Sequence, residues 1–234
     1  MTPKSPHGTV LLIGASRGLG LAMAKEYLIQ GSEVVATVRG AERTELHDLQ
    51  DTVAGRLEIE HIDITIPEHI VDLHNRLAPR IFDLLFVNAG VAINAEDTIA
   101  DVSTEEFTRL MVTNALSPMR VIEALEDLVA PDGTIAVMSS GQGSVANNER
   151  GGFEVYRGTK AALNMFMRSY AARHHDDPRT LLLMAPGWVK TRLGGPNARL
   201  TISESIPNLV KVIDAQHGRG GLQYLDYRGE TVAW

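Results

Sequence analysis

Cysteine is absent from the 234 residues, which excludes disulfides, thiolate zinc sites and thiol catalysis. A basic excess is absent as well, since 22 lysines and arginines face 29 aspartates and glutamates, for a formal charge of −7. General nucleic-acid binders and anionic-membrane binders need a basic face, so neither nucleic acid nor membrane is an expected partner. A phosphorylated ligand stays open, because it needs only two or three well-placed donors. No apolar run approaches the ~20 residues that span a bilayer. The opening MTPKSPHG lacks the apolar core of a signal peptide, and the expectation is a cytoplasmic protein. The eight histidines show no HExxH or similar ligand spacing, so no metal site is expected. No linker, repeat or low-complexity stretch divides residues 1–234, whose length suits one large domain.

What the chain does contain is alternation. Apolar, β-branched runs at Thr9–Gly14, Glu33–Val38, Leu57–Ile62, Asp83–Asn88, Thr134–Ser140 and Thr180–Ala185 read as strands, with a seventh at Leu222–Leu225. They are apolar on both faces, as a parallel sheet covered on both sides requires. Amphipathic stretches lie between them, including Leu19–Gln30, Thr104–Val129 with a bend expected at Pro118, Tyr156–His174 and Ser203–Ala215. The pattern predicts an α/β fold: a single doubly wound Rossmann domain, with a mainly parallel sheet of about seven strands and helices on both faces. In such sheets ligands bind outside the carboxyl ends of the strands.

Directly after the first strand comes GASRGLG, residues 14–20. Gly14, Gly18 and Gly20 allow a tight turn and a close backbone approach, while Ser16, Arg17 and Leu19 complete a loop that opens a helix toward phosphates. At the end of the second strand an NAD site normally has an acid for the ribose 2′-hydroxyl. Here ATVRG has none, and Arg39 follows the strand while Arg17 lies inside the glycine loop. Two guanidinium groups suit a 2′-phosphate, so NADP(H) is favoured over NAD(H).

Together with these residues, IDIT at 62–65, VNAG at 87–90, VTNALSP at 112–118, VMSS at 137–140, YRGTK at 156–160 and APGWVKT at 185–191 resemble the short-chain dehydrogenase/reductase superfamily over nearly the whole chain. GWVKT, GGPNARLTISES and LDYRGETVAW are similar to the C-factor and sniffer-type carbonyl reductases, although Ala185 stands where that branch often has histidine. The resemblance implies that Asp63 and Ile64 hold the adenine and that Asn88, Ala89 and Gly90 lie along the adenosine ribose. It implies that Pro186, Gly187, Val189 and Thr191 wrap the nicotinamide. It also picks Ser140, rather than Ser139 or Ser144, as the residue that hydrogen-bonds a substrate carbonyl, and Asn114 as the holder of a relay water.

Tyr156 and Lys160 stand four residues apart, on one helix face. A nearby cation favours phenolate, so Lys160 is expected to lower the tyrosine pKa from about 10 and let Tyr156 act as general acid or base. Lys160 is also expected to bind the nicotinamide ribose. Phe153, Trp188 and Met138 are candidate pocket walls, and residues 193–217 a lid and helix over the substrate. The function these readings point to is NADPH-dependent reduction of a ketone or aldehyde, by a homodimer or homotetramer. The alternatives are a C-factor-type signalling protein and an NAD-linked secondary-alcohol dehydrogenase.

Overall fold

The computed structural model describes residues 5–88, 90–91 and 98–234. Seven strands form one parallel sheet: β1 (Thr9–Ile13), β2 (Glu33–Val38), β3 (Leu57–His61), β4 (Phe82–Val87), β5 (Val129–Met138), β6 (Thr180–Ala185) and β7 (Gly221–Asp226). Their order is β3-β2-β1-β4-β5-β6-β7, every neighbouring pair parallel. The helices are α1 (Gly18–Ile29), α2 (Glu45–Gln50), α3 (Pro67–Leu77), α4 (Thr104–Met111), α5 (Ser117–Leu125), α6 (Glu154–Arg173) and α7 (Ile202–Ala215).

Strand pleating explains why the sheet runs are apolar throughout. Leu11 and Ile13 pack into a layer with α3, α5 and α6, whereas Val10 and Leu12 pack oppositely with α1 and α7. Each face therefore has its own core.

The long helix expected over Thr104–Val129 is broken. Between α4 and α5, Val112–Leu116 forms a π-helical turn in which the Ser117 N–H donates to the Val112 carbonyl. Pro118 has no N–H to offer the Asn114 carbonyl, and its ring would crowd it in a regular helix. The wider turn absorbs both effects and places Asn114 inside the irregularity. The helix stops at Leu125, and β5 starts at Val129 with a register shift against β4 before its regular part at Thr134. α7 begins at Ile202, capped by Thr201 and Glu204, and encloses Pro207. Its Ile206, Leu209, Val210 and Ile213 are buried in the layer shared with α1.

Candidate active site

The strand order reverses between β1 and β4, and the loops leaving their carboxyl ends separate there to open a crevice. After β1 the chain turns at Gly14, with φ of 89°. The Gly14 N–H donates to Thr37 Oγ1 at 2.9 Å, and the Ala15 N–H to the Thr37 carbonyl at 2.8 Å. Asn88, just past β4, donates from Nδ2 to the Gly14 carbonyl at 2.7 Å and so clasps the two sides of the crevice. A Cβ at residue 20 would stand 2.2 Å from that carbonyl oxygen and 2.7 Å from Asn88 Nδ2, so only glycine fits. Arg17 at the N-cap of α1 makes no capping hydrogen bond from its side chain, leaving the first amides of the helix to a ligand or solvent. Ser16, Gly18 and Leu19 are partly exposed around it.

Arg17 and Arg39 are exposed and form no ion pair among the described residues. Asp63 and buried Ile64 follow β3. Burial raises the Asp63 pKa, but the hydroxyl and amide of Thr65 and the charge of Arg39 outweigh it, and the net shift is downward. Arg39 and Asp63 thus share one end of the crevice. Ala89 lies outside the described residues.

At the other end stand the reactive candidates. Lys160 is 3% exposed and donates from Nζ to the Met138 carbonyl at 2.8 Å. Its Nζ lies 5.9 Å from the centre of the Tyr156 ring. Asn114 is fully buried: its Oδ1 accepts from the Val91 N–H at 2.8 Å, and its Nδ2 donates to the Val91 carbonyl at 2.8 Å and to Thr159 Oγ1 at 3.0 Å. A Cβ on Gly90 would be 3.6 Å from both Asn114 Oδ1 and Lys160 Nζ, so these groups meet at one point. Strand alternation separates the serines. Ser139 donates to Asn164 Oδ1 at 2.6 Å, away from the crevice, while the Ser140 hydroxyl lies beside the Tyr156 phenol. Ser144 caps a turn by accepting from the Asn147 N–H at 3.1 Å.

The electrostatics depart from expectation. Burial pushes Tyr156 up to about 12, with the Ser140 hydroxyl opposing, and Lys160 is not among the groups that shift it. Burial also pushes Lys160 down to about 8. Two desolvated groups each resist ionisation, and here that penalty outweighs the field of one on the other.

Beyond β6, buried Pro186 and exposed Gly187 lead to Val189, which pairs with Leu200. The Thr191 hydroxyl donates to the Val189 carbonyl at 3.4 Å and accepts from the Gly194 N–H at 3.0 Å, closing a compact loop. Trp188 is 48% exposed, with its indole N–H on the Gly194 carbonyl at 2.8 Å. Phe153 is partly exposed, directly ahead of α6. Met138 is instead buried in the core beside α1 and α7, because its position in β5 points it to that face.

Five supporting residues escape a sequence reading: Thr37, Thr159, Asn164, Ser205 (which donates to the Pro186 carbonyl at 2.6 Å) and Tyr224. Only Asn164 carries a signal, since it repeats the four-residue step from Tyr156 to Lys160.

A short chain dehydrogenase family model matches residues 8–199. The chain is 35% identical to C-signal of Myxococcus xanthus over 154 residues, 65% of this chain and 92% of that protein. A Burkholderia multivorans structure described as a short-chain dehydrogenase/reductase with bound NADP superposes with TM-score 0.96 at 59% identity, covering 98% of this chain and 100% of that one. A carbonyl reductase from Pseudomonas aeruginosa PAO1 in complex with NADP gives TM-score 0.90 at 33% identity, covering 97% and 99%.

Proposed function

The chain belongs to the short-chain dehydrogenase family, and from that premise we propose that it is an NADPH-dependent carbonyl reductase acting on a ketone or aldehyde. The observation that carries the reading is the meeting of Tyr156, Lys160, Ser140 and Asn114 at the crevice whose other end is the glycine loop. NADP in the Burkholderia and Pseudomonas structures supports the cofactor assignment.

The residues fit such a cofactor. The Gly20 cradle admits no side chain, the amides opening α1 are uncapped, and Arg17 and Arg39 are available for a 2′-phosphate. Asp63 and Ile64 would hold the adenine, and Asn88, Ala89 and Gly90 would flank its ribose. Lys160 would bind the second ribose, and Pro186, Gly187, Val189 and Thr191 would wrap the nicotinamide. When bound, NADPH supplies the hydride.

Tyr156 then donates the proton. A phenol held near 12 is protonated at neutral pH, which is the form reduction needs. Ser140 donates a hydrogen bond to the carbonyl oxygen as charge develops on it. The Lys160 ammonium stabilises the phenolate left behind, and Asn114 holds the water through which that phenolate is reprotonated. Exposed Phe107, Leu116, Met165 and Phe166 on α4–α6 and the turn between them support pairing with a second copy.

The test is NADPH oxidation against a panel of ketones, aldehydes and quinones, with native protein and Tyr156→Phe. Turnover should fall roughly 10²- to 10⁴-fold in the variant, with NADPH binding by fluorescence nearly unchanged. Undiminished turnover would sink the mechanism. A native chain that binds NADPH yet reduces nothing would favour the signalling role implied by similarity to C-signal.

A further inference from the structure

The segment that carries Ser140 is held at three carbonyls within residues 138–143 by buried side-chain donors. Lys160 takes Met138, the Tyr224 hydroxyl takes Ser140, and Asn164 Nδ2 takes Gly143 at 3.3 Å. Asn164 also accepts, through Oδ1, from the Ser139 hydroxyl. Asn164 is 3% exposed, Tyr224 1% and Ser139 2%. Tyr156, Lys160 and Asn164 follow one another at four-residue steps, so a single face of α6 presents the phenol, the ammonium and the clamp. A Cβ at residue 143 would lie 2.9 Å from Asn164 Nδ2 and 3.0 Å from Lys160 Cβ, so glycine is what lets the segment lie so close to the helix. From the other side Tyr224 reaches in from β7, two strands away from β5. A buried polar network in which each of these groups is satisfied fixes one arrangement, which an apolar filling of the same space would not.

We infer that Asn164 and Tyr224 are positioning residues of the reaction: they fix the backbone on both sides of Ser140, so that its hydroxyl stays against the Tyr156 phenol. The inference rests on the carbonyl-reductase reading for its kinetic effect, but not for its geometry.

Two variants of the full chain test it. Tyr224→Phe removes one hydroxyl and keeps the ring packing. Asn164→Ala removes both contacts and leaves a buried hydroxyl and carbonyl unpaired, so it carries the greater risk of misfolding. Each is assayed for kcat, KM and NADPH Kd on the best panel substrate, and for the Tyr156 Cζ carbon resonance, assigned against Tyr156→Phe. Tyr224→Phe should lower kcat roughly tenfold, with KM and Kd within about twofold, and should shift the Tyr156 resonance. Native kcat with an unshifted resonance would overturn the inference, as would a loss confined to thermal stability. If the native chain reduces no carbonyl in the panel, the functional reading falls, and the resonance alone decides this one: shifted sustains it, unshifted overturns it.

Discussion

At the carboxyl edge of the sheet Lys160, Asn114 and Ser139 are buried, and each has hydrogen-bond partners at 2.6–3.0 Å. At the amino edge another buried polar cluster is assembled differently. His7 precedes β1, Tyr27 lies on α1, Asp214 on α7 and His217 just beyond it. The His7 ring stands 5.2 Å from His217 and 6.4 Å from Tyr27. Both His7 ring nitrogens, the Tyr27 hydroxyl and His217 Nδ1 have no hydrogen-bond partner among the described residues. Burial, reinforced by His217 and opposed by Asp83, pushes His7 down to about 4. Burial raises Asp214 to about 6, although Ser5 donates to it at 3.1 Å. One edge gives its buried groups hydrogen-bond partners, while the other leaves several of its own without one among the described residues.

The contrast breaks most sharply at Lys160. Lys160→Met should reduce carbonyl turnover roughly 10²- to 10⁴-fold. A lysine whose folded pKa lies near 8 contributes stability above its ordinary 10.5 and loses it as pH falls through 8. At pH 7 the native chain therefore bears a desolvation cost, and the variant should be more stable there by on the order of 1–2 kcal/mol. Urea unfolding beside the kinetic assay checks both, and a destabilised variant would mean that the Met138 contact outweighs desolvation.

Arg39→Ala tests the same edge without touching its buried groups. It should weaken NADPH roughly 10- to 100-fold and leave NADH nearly unchanged in parallel binding titrations. Equal losses would show that Arg39 does not read the 2′-phosphate.

At the amino edge the effect is confined to stability. His7 has a folded pKa below its ordinary 6.5, so its contribution is complete above pH 6.5 and is lost as pH falls toward 4. Asp214 has a folded pKa above its ordinary 3.8, so its contribution is complete below 3.8 and is lost as pH rises through 6. The two offset each other in the native chain. Relative to it, His7→Phe should gain stability between pH 6.5 and 4, and Asp214→Asn should lose it, by on the order of 1–3 kcal/mol. Denaturant midpoints across that range read the slopes, and carbonyl reduction at pH 7 should not change. Parallel slopes in all three proteins would dissolve the comparison.

The strands were legible because each satisfies two cores at once, and the glycine loop because its backbone demands are local. The interruption at Pro118 was legible as a bend, but its form was not, because a π-helical turn depends on the neighbouring contacts of Asn114 with Val91 and Thr159. Thr37 reads as one polar residue in an apolar strand until β2 is paired with β1. Tyr224 is further from legibility still, since its partner Ser140 lies 84 residues earlier in the chain. The direction of the Tyr156 shift was missed because spacing records that a lysine is near, but not how little water either group keeps.

The clamp across residues 138–143 has a consequence for altering this protein. Past Ser144, whose hydroxyl accepts from the Asn147 N–H, residues 147–152 are exposed and lead into α6 without a side-chain tie into the core among the described residues. Ser140 upstream and Tyr156 downstream are each anchored elsewhere, one by Tyr224 and the other by the buried face of α6. On the proposed carbonyl-reductase reading the intervening stretch is a cassette: exchanging its length and composition should change which molecule is admitted, while the spacing of the Ser140 and Tyr156 hydroxyls is kept.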